Sequence, residues 1–198
     1  THIRHSEKVF NMKRLLLILI FILSFQSWST ADDIRDFQIE GISIGDSLLD
    51  FYSSEEIDSK KVDYYKDETF SSINIYKDDL IIDLDKYQQI VFGFKSNDKN
   101  YVLVAISGIL PLNIDNCHNM METVTSEISN IFENTKIIRN KIKGNFGLNT
   151  YNKFELNKGD NVKISCVDYD TSNEYPDHLR IAINNGSYQD WLNNKAYK

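Results

Sequence analysis

The sequence predicts an α+β fold: a mainly antiparallel sheet built from two hairpins, packed by one long amphipathic helix and by short N- and C-terminal helices. Three observations carry that prediction. Two pairs of β-rich runs flank polar turns, within residues 87–110 and 147–169. One apolar stripe runs through residues 114–132 at spacings of three and four, the mark of a helix with a single buried face. Strand pairs and helices are segregated rather than alternating one by one, which favours antiparallel over parallel pairing.

Taken in order, Phe37 and Ile39 alternate with Gln38 and Glu40, and Ile42 and Ile44 flank Ser43, with Gly41 and Gly45 as punctuation. This reads as a short strand or an extended entry to the fold. Asp46 is placed to cap a short helix over residues 47–52, and Ser53 with Glu56 forms a capping-box pattern for a second helical turn. Residues 69–76 read as a strand, with Phe70, Ile73 and Ile75 among the apolar positions.

In the first hairpin, Gln89-Ile90-Val91-Phe92-Gly93-Phe94 leads into the polar turn 96–100, and Tyr101-Val102-Leu103-Val104-Ala105-Ile106 returns. The returning strand has so few polar residues that it is expected to be central and covered on both faces. The long helix carries Cys117, Met120, Met121, Val124, Ile128, Ile131 and Phe132 on its stripe, with Asp115 or Asn113 as its cap. The second hairpin runs from 147 to 156, turns at 157–160 and returns over 161–169. A further strand follows at 179–183. Asn185-Gly186 then turns the chain, and Ser187 with Asp190 is placed to cap a last helix bearing Trp191 and Leu192.

The 198 residues are 41% hydrophobic and 26% charged, values of an ordinary globular chain rather than a disordered one. A net charge of −7 argues against nucleic acid as the main partner. From Met12 onward the chain has the order of a secretory signal: Lys13 and Arg14, the apolar run 15–25, then Ser29-Thr30-Ala31 before Asp32. The apolar run falls well short of the ~20 residues that span a bilayer as a helix. The expected organisation is therefore residues 1–11 upstream of the initiator, 12–31 a cleaved signal peptide, and 32–198 one mature domain in the periplasm or outside the cell. No stable membrane span is expected after cleavage. Removing residues 1–31 takes away four basic residues and one acidic residue, deepening the net charge from −7 to −10.

An exported chain with two cysteines is expected to join them. Cys117 falls on the apolar stripe of the helix. In Val162-Lys163-Ile164-Ser165-Cys166 alternation puts Cys166 on the same face as Val162 and Ile164. Both thiols then point into the layer between helix and sheet, which predicts a Cys117–Cys166 disulfide. Two cysteines are too few for a disulfide-rich scaffold or a Cys-based zinc module.

Motifs for chemistry are sparse. Cys117-His118 does not make a nucleophile and base, because adjacent helical residues project about 100° apart. Asp168, Asp170, Glu174 and Asp177, with His178 beside them, form a carboxylate-rich loop that could hold calcium through oxygen ligands. It lacks the EF-hand spacing and central glycine, so a solvated acidic loop is the preferred reading. Asp78, Asp79, Asp83 and Asp85 form a second acidic run. Acid/base work by such carboxylates would require the fold to bring a pair to glycosidase spacing. Ser107-Gly108 is half of a nucleophile elbow at most and reads better as part of a strand end. No His-Glu-x-x-His, phosphate loop or dinucleotide fingerprint occurs.

From Met12 onward the chain resembles a group of uncharacterised secreted proteins from Pelagibacter-like marine bacteria. The resemblance is carried by residues 31–49, by Val104-Ala105-Ile106-Ser107-Gly108 and by Asp190-Trp191-Leu192. It implies an exported protein and brings no catalytic residue with it. The functional expectation is a non-enzymatic periplasmic protein that binds an envelope partner or a small ligand, without a cofactor. The alternatives are a small periplasmic hydrolase using carboxylates and a calcium-stabilised envelope module.

Overall fold

A computed structural model describes residues 33–62, 65–78, 84–132, 135–144, 146–170 and 175–198. The expected signal peptide, Glu174, Asp79 and Asp83 lie outside them. The described chain begins with a two-stranded ribbon, β1 (Gln38–Ile39) and β2 (Ile42–Ser43), and a short helix α1 (Ser54–Ser59). Three strands follow: β3 (Phe70–Tyr76), β4 (Gln89–Lys95) and β5 (Leu103–Pro111). The long helix α2 (Ile114–Ile131) leads to β6 (Lys136–Lys143), β7 (Gly147–Glu155), β8 (Asn161–Tyr169) and β9 (His178–Asn184), and α3 (Gly186–Asn194) ends the fold.

Seven strands form one sheet in the order β3-β4-β5-β9-β8-β7-β6, and every neighbouring pair is antiparallel. The sheet is therefore more than the two predicted hairpins. β9 joins them by pairing with both β5 and β8, and β6, which the sequence reading left out, extends one edge. The sequence of β6, Lys-Ile-Ile-Arg-Asn-Lys-Ile-Lys, buries none of its residues. Its hydrophobic pattern is thus too weak to announce a strand, while its lysines suit an edge by discouraging further pairing. β5 is an interior strand with its first six residues buried, as its apolar run predicts.

One face of the sheet carries the main core. Ile73, Phe92, Ile106, Ile183, Ile164 and Phe154 meet Met121, Ile128 and Phe132, with the N-terminal segment supplying Ile39, Leu48 and Ile57. Cys117 and Cys166 are joined across this layer, with Cα atoms 5.8 Å apart. Beside the bridge, buried Asn152 of β7 donates to Thr125 Oγ1 at 2.9 Å and to Glu122 Oε1 at 3.2 Å. Helix and sheet are thus held by a covalent bond, apolar contacts and a satisfied polar contact.

The opposite face is covered only in part. α3 lays Tyr188 and Trp191 on Phe70, Val104 and Ala105. Gly93 permits this approach, since a Cβ there would lie 3.0 Å from both the Tyr188 ring and Ala105. Trp191 Nε1 donates to Asp67, and Tyr65 packs edge-on to the indole at 4.7 Å.

Three local details differ from expectation. Ser47, not Asp46, caps the segment after β2, because the Asp46 carboxylate is already accepting the Ser43 N–H at 2.7 Å. That segment is a single 3-10 turn, Leu48–Asp50, rather than a helix over 47–52. Asn185, not Ser187, caps α3, accepting from Tyr188 N at 2.9 Å. Asn113 is the residue that caps α2. Among the described residues no helix is long and apolar enough to cross a membrane.

Candidate functional site

The part of the sheet that α3 leaves open, over β7, β8 and β9, holds a half-open cavity of ≈ 540 Å³. Strand alternation determines what lines it. With Cys166 committed to α2, the odd-numbered residues of β8 face the other way, and Lys163, Val167 and Tyr169 line the cavity. The register then builds rows across the sheet. Lys153 of β7 lies directly opposite Lys163. Ser165 is flanked by Tyr151 on one side and Arg180 of β9 on the other. Val167 is flanked by Asn149 and His178, and Asn149 in turn pairs with Ile142 of β6.

The walls come from two other elements. Gln189 and Asn193 of α3 close one side, and the β6–β7 turn with Gly144, Phe146 and Gly147 closes the other. Gly147, at φ +155°, has its Cα so close to β8 that a Cβ would lie 2.1 Å from the Asp168 carbonyl oxygen. α3 is held in place at its start by Gly186 N donating to Asp160 at 2.7 Å and by Asn184 donating to Gln189 at 3.2 Å.

The cavity is cationic although the chain is acidic. Lys163 is half-buried, and its Nζ lies 5.5 Å from the centre of the Tyr151 ring, within cation–π reach. No carboxylate among the described residues forms an ion pair with it. Burial first, and the charges of Arg180 and Lys153 second, pull the Lys163 ammonium down from 10.5 to about 8. Arg180 donates through Nη2 to Ser107 Oγ at 2.8 Å, and its buried Nε finds no acceptor among the described residues. The carboxylate on this side of β7, Glu155, is engaged by Lys153 at 2.9 Å and by Lys136 at 3.2 Å. His178, whose Nδ1 lies 3.2 Å from the Pro176 carbonyl, is pushed below its ordinary pKa mainly by burial.

The residues singled out by the sequence fall elsewhere, apart from His178. Cys117 and Cys166 are buried in their disulfide on the far side of β8. His118 sits half-buried on α2, away from the cavity lining. The acidic loop does not gather into a cation site among the described residues: Asp170 pairs with Lys143 at 2.6 Å, and Asp177 accepts the Tyr169 N–H at 2.9 Å. Asp168 stands on β8, and Glu174 lies outside the described residues. No group of three or more His, Cys, Asp or Glu side chains placed to hold a metal occurs among the described residues. Asp78 and Asp85 are exposed, and Ser107 is a buried acceptor for Arg180 within β5 rather than an exposed nucleophile.

Sequence reasoning missed Lys153, Lys163, Arg180, Tyr151 and Gln189. The signal present was Lys163 alternating with buried residues in a strand whose other face was already assigned to the helix. No protein-family model, curated protein or solved structure matches the chain, so the cavity is interpreted from its own chemistry.

Proposed function

We propose that this is an exported, non-enzymatic binding protein of the bacterial envelope or exterior, and that it holds a small anion in the cavity over β7, β8 and β9. The observation that carries the proposal is the Lys163–Arg180 pair, desolvated beside Lys153 with no carboxylate among the described residues to neutralise Lys163. Like charges opposite one another in a sheet are unfavourable, and burying a cation without a counter-charge is costly. A carboxylate or phosphate bound between them would relieve both costs and form charge-assisted hydrogen bonds. The cavity size lies in the range of small-molecule sites.

Export is supported by the Lys13-Arg14 start and Ser29-x-Ala31 end of the apolar segment, and by a disulfide, which suits an oxidising compartment. On the residues quoted above we group the chain with the secreted proteins of Pelagibacter-like marine bacteria. The hydrolase and calcium readings draw no support from the carboxylates singled out for them: Asp78 and Asp85 are exposed, Asp170 pairs with Lys143, and Asp177 accepts the Tyr169 N–H.

Calorimetric titration of the mature protein with phosphate and with acetate, at pH 6.5 and low salt, tests the site. Saturable binding that falls about tenfold or more in Lys163→Met is expected, as for loss of one charge-assisted contact. Binding in Lys163→Met and in Arg180→Met as strong as in the unsubstituted protein would refute the assignment.

A further inference from the structure

The cavity has two chemically different ends. Lys153, Lys163 and Arg180 lie toward α3, whereas Val167, Ile142 and Phe146 lie toward the β6–β7 turn. Along β8 the step from Lys163 to Val167 is four residues of strand, about 13 Å. The far end is wet and mixed: Asn149, Tyr169 and His178 line it together with Val167, Ile142 and Phe146, and Ile142 is 50% and Phe146 66% exposed. Exposed large apolar side chains grouped at the mouth of a cavity, rather than scattered, mark a surface that a ligand covers. A bare inorganic anion would occupy the cationic end and leave this surface in water.

We infer that the ligand is an amphipathic carboxylate, with its head between Lys163 and Arg180 and an apolar chain or ring running along β8 to Ile142 and Phe146. This rests on the anion-site assignment above and adds the second end. The carboxylate accepts from Lys163 Nζ and the Arg180 guanidinium. Gln189 and Asn193 of α3 offer amide groups at the head, and the tail passes over Val167. Ile142 stands on the edge strand and Phe146 in the turn, so the tail end is built by the hairpin that the sequence pattern concealed. The occupant is a small molecule: the volume suits one ligand, and α3 closes the groove at the head end.

The test is a chain-length series, acetate, butyrate and octanoate, titrated calorimetrically into the mature protein alongside phosphate. Octanoate is expected to bind about tenfold or more tighter than acetate, because methylenes leave water, and its binding should carry a negative heat-capacity change. Ile142→Asn should weaken octanoate far more than acetate and so erase the dependence on chain length. Lys163→Met should weaken every member of the series. Equal affinities for acetate and octanoate, both sensitive to Lys163→Met, would overturn the amphipathic ligand and leave the anion site standing. No binding by any of the four anions would overturn both. Ile142 is half-exposed on an edge strand, so its substitution leaves the core intact, and thermal unfolding of each variant verifies this.

Discussion

On the α2 side of β8, Val162, Ile164 and Cys166 are sealed under a helix; on the other side of the same strand, Lys163 and Val167 line a cavity with water at its mouth. Both sets lie on one backbone, residues apart by one. On the first side Asn152 donates to Thr125 and Glu122, and the two cysteines are joined to each other. On the second side Lys163 and Arg180 crowd together, and Arg180 keeps an Nε–H without an acceptor among the described residues. On the proposed reading, stability and binding are divided between the faces. One face is optimised for burial. The other retains electrostatic cost in the free protein that a ligand can remove.

Substitutions on the two faces should therefore move stability in opposite directions. The largest effect is on the helix face. The Cys117–Cys166 bridge closes a loop of 49 residues, and its reduction should lower unfolding free energy by about 4 kcal/mol on the chain-entropy account. Chemical denaturation with and without reductant measures it, and Cys117→Ala should cost a similar amount. Thr125→Val removes an acceptor from buried Asn152 and should cost about 1–2 kcal/mol in the same assay. On the cavity face, Lys163→Met should leave stability unchanged or raise it by up to ~1 kcal/mol, since it removes a desolvated cation facing Lys153 and Arg180. Destabilisation by Lys163→Met comparable to Thr125→Val would erase the distinction between the faces.

The smallest effect expected is in pH dependence of binding. The groups facing the anion are Lys163, Lys153, Arg180, His178 and the Tyr151 phenol. Burial lowers the pKa of Lys163 to about 8 and also lowers that of His178. Lys163 is protonated below about pH 8 and binds an anion best there; as pH rises through about 8 in the free protein, the charge is lost and affinity falls. A bound anion favours the ammonium and raises its pKa, so binding near pH 8 should take up protons. Titrations in buffers of different ionisation enthalpy would register that uptake. Affinity constant from pH 6.5 to 9.5 would remove Lys163 from the site.

The two faces were unequally legible in the sequence. The helix face could be read because burial leaves periodicity: Cys117, Met121 and Ile128 recur at helical spacing, and Val162, Ile164 and Cys166 alternate. Those patterns located the disulfide before any pairing of strands was known. The cavity face leaves no such trace. Lys163 in an alternating strand looks like any solvated lysine until the register brings Lys153 opposite and Arg180 diagonally beside it. Lys153 opposite Lys163 follows from the β7–β8 hairpin, but the place of Arg180 depends on β9 pairing with β8, a choice that local pattern does not encode. The acidic loop attracted attention for the converse reason. Asp168, Asp170 and Asp177 cluster in sequence, but Asp170 and Asp177 turn to separate partners.

The central claim is that Lys163 is a desolvated cation awaiting an anionic partner, and its own titration tests this most directly. NMR titration of the Lys163 side chain in 15N,13C-labelled mature protein, with and without octanoate, should show a midpoint near about 8 in the free protein that moves upward when the ligand is bound. A midpoint at the ordinary lysine value of about 10.4 in both samples would contradict the account.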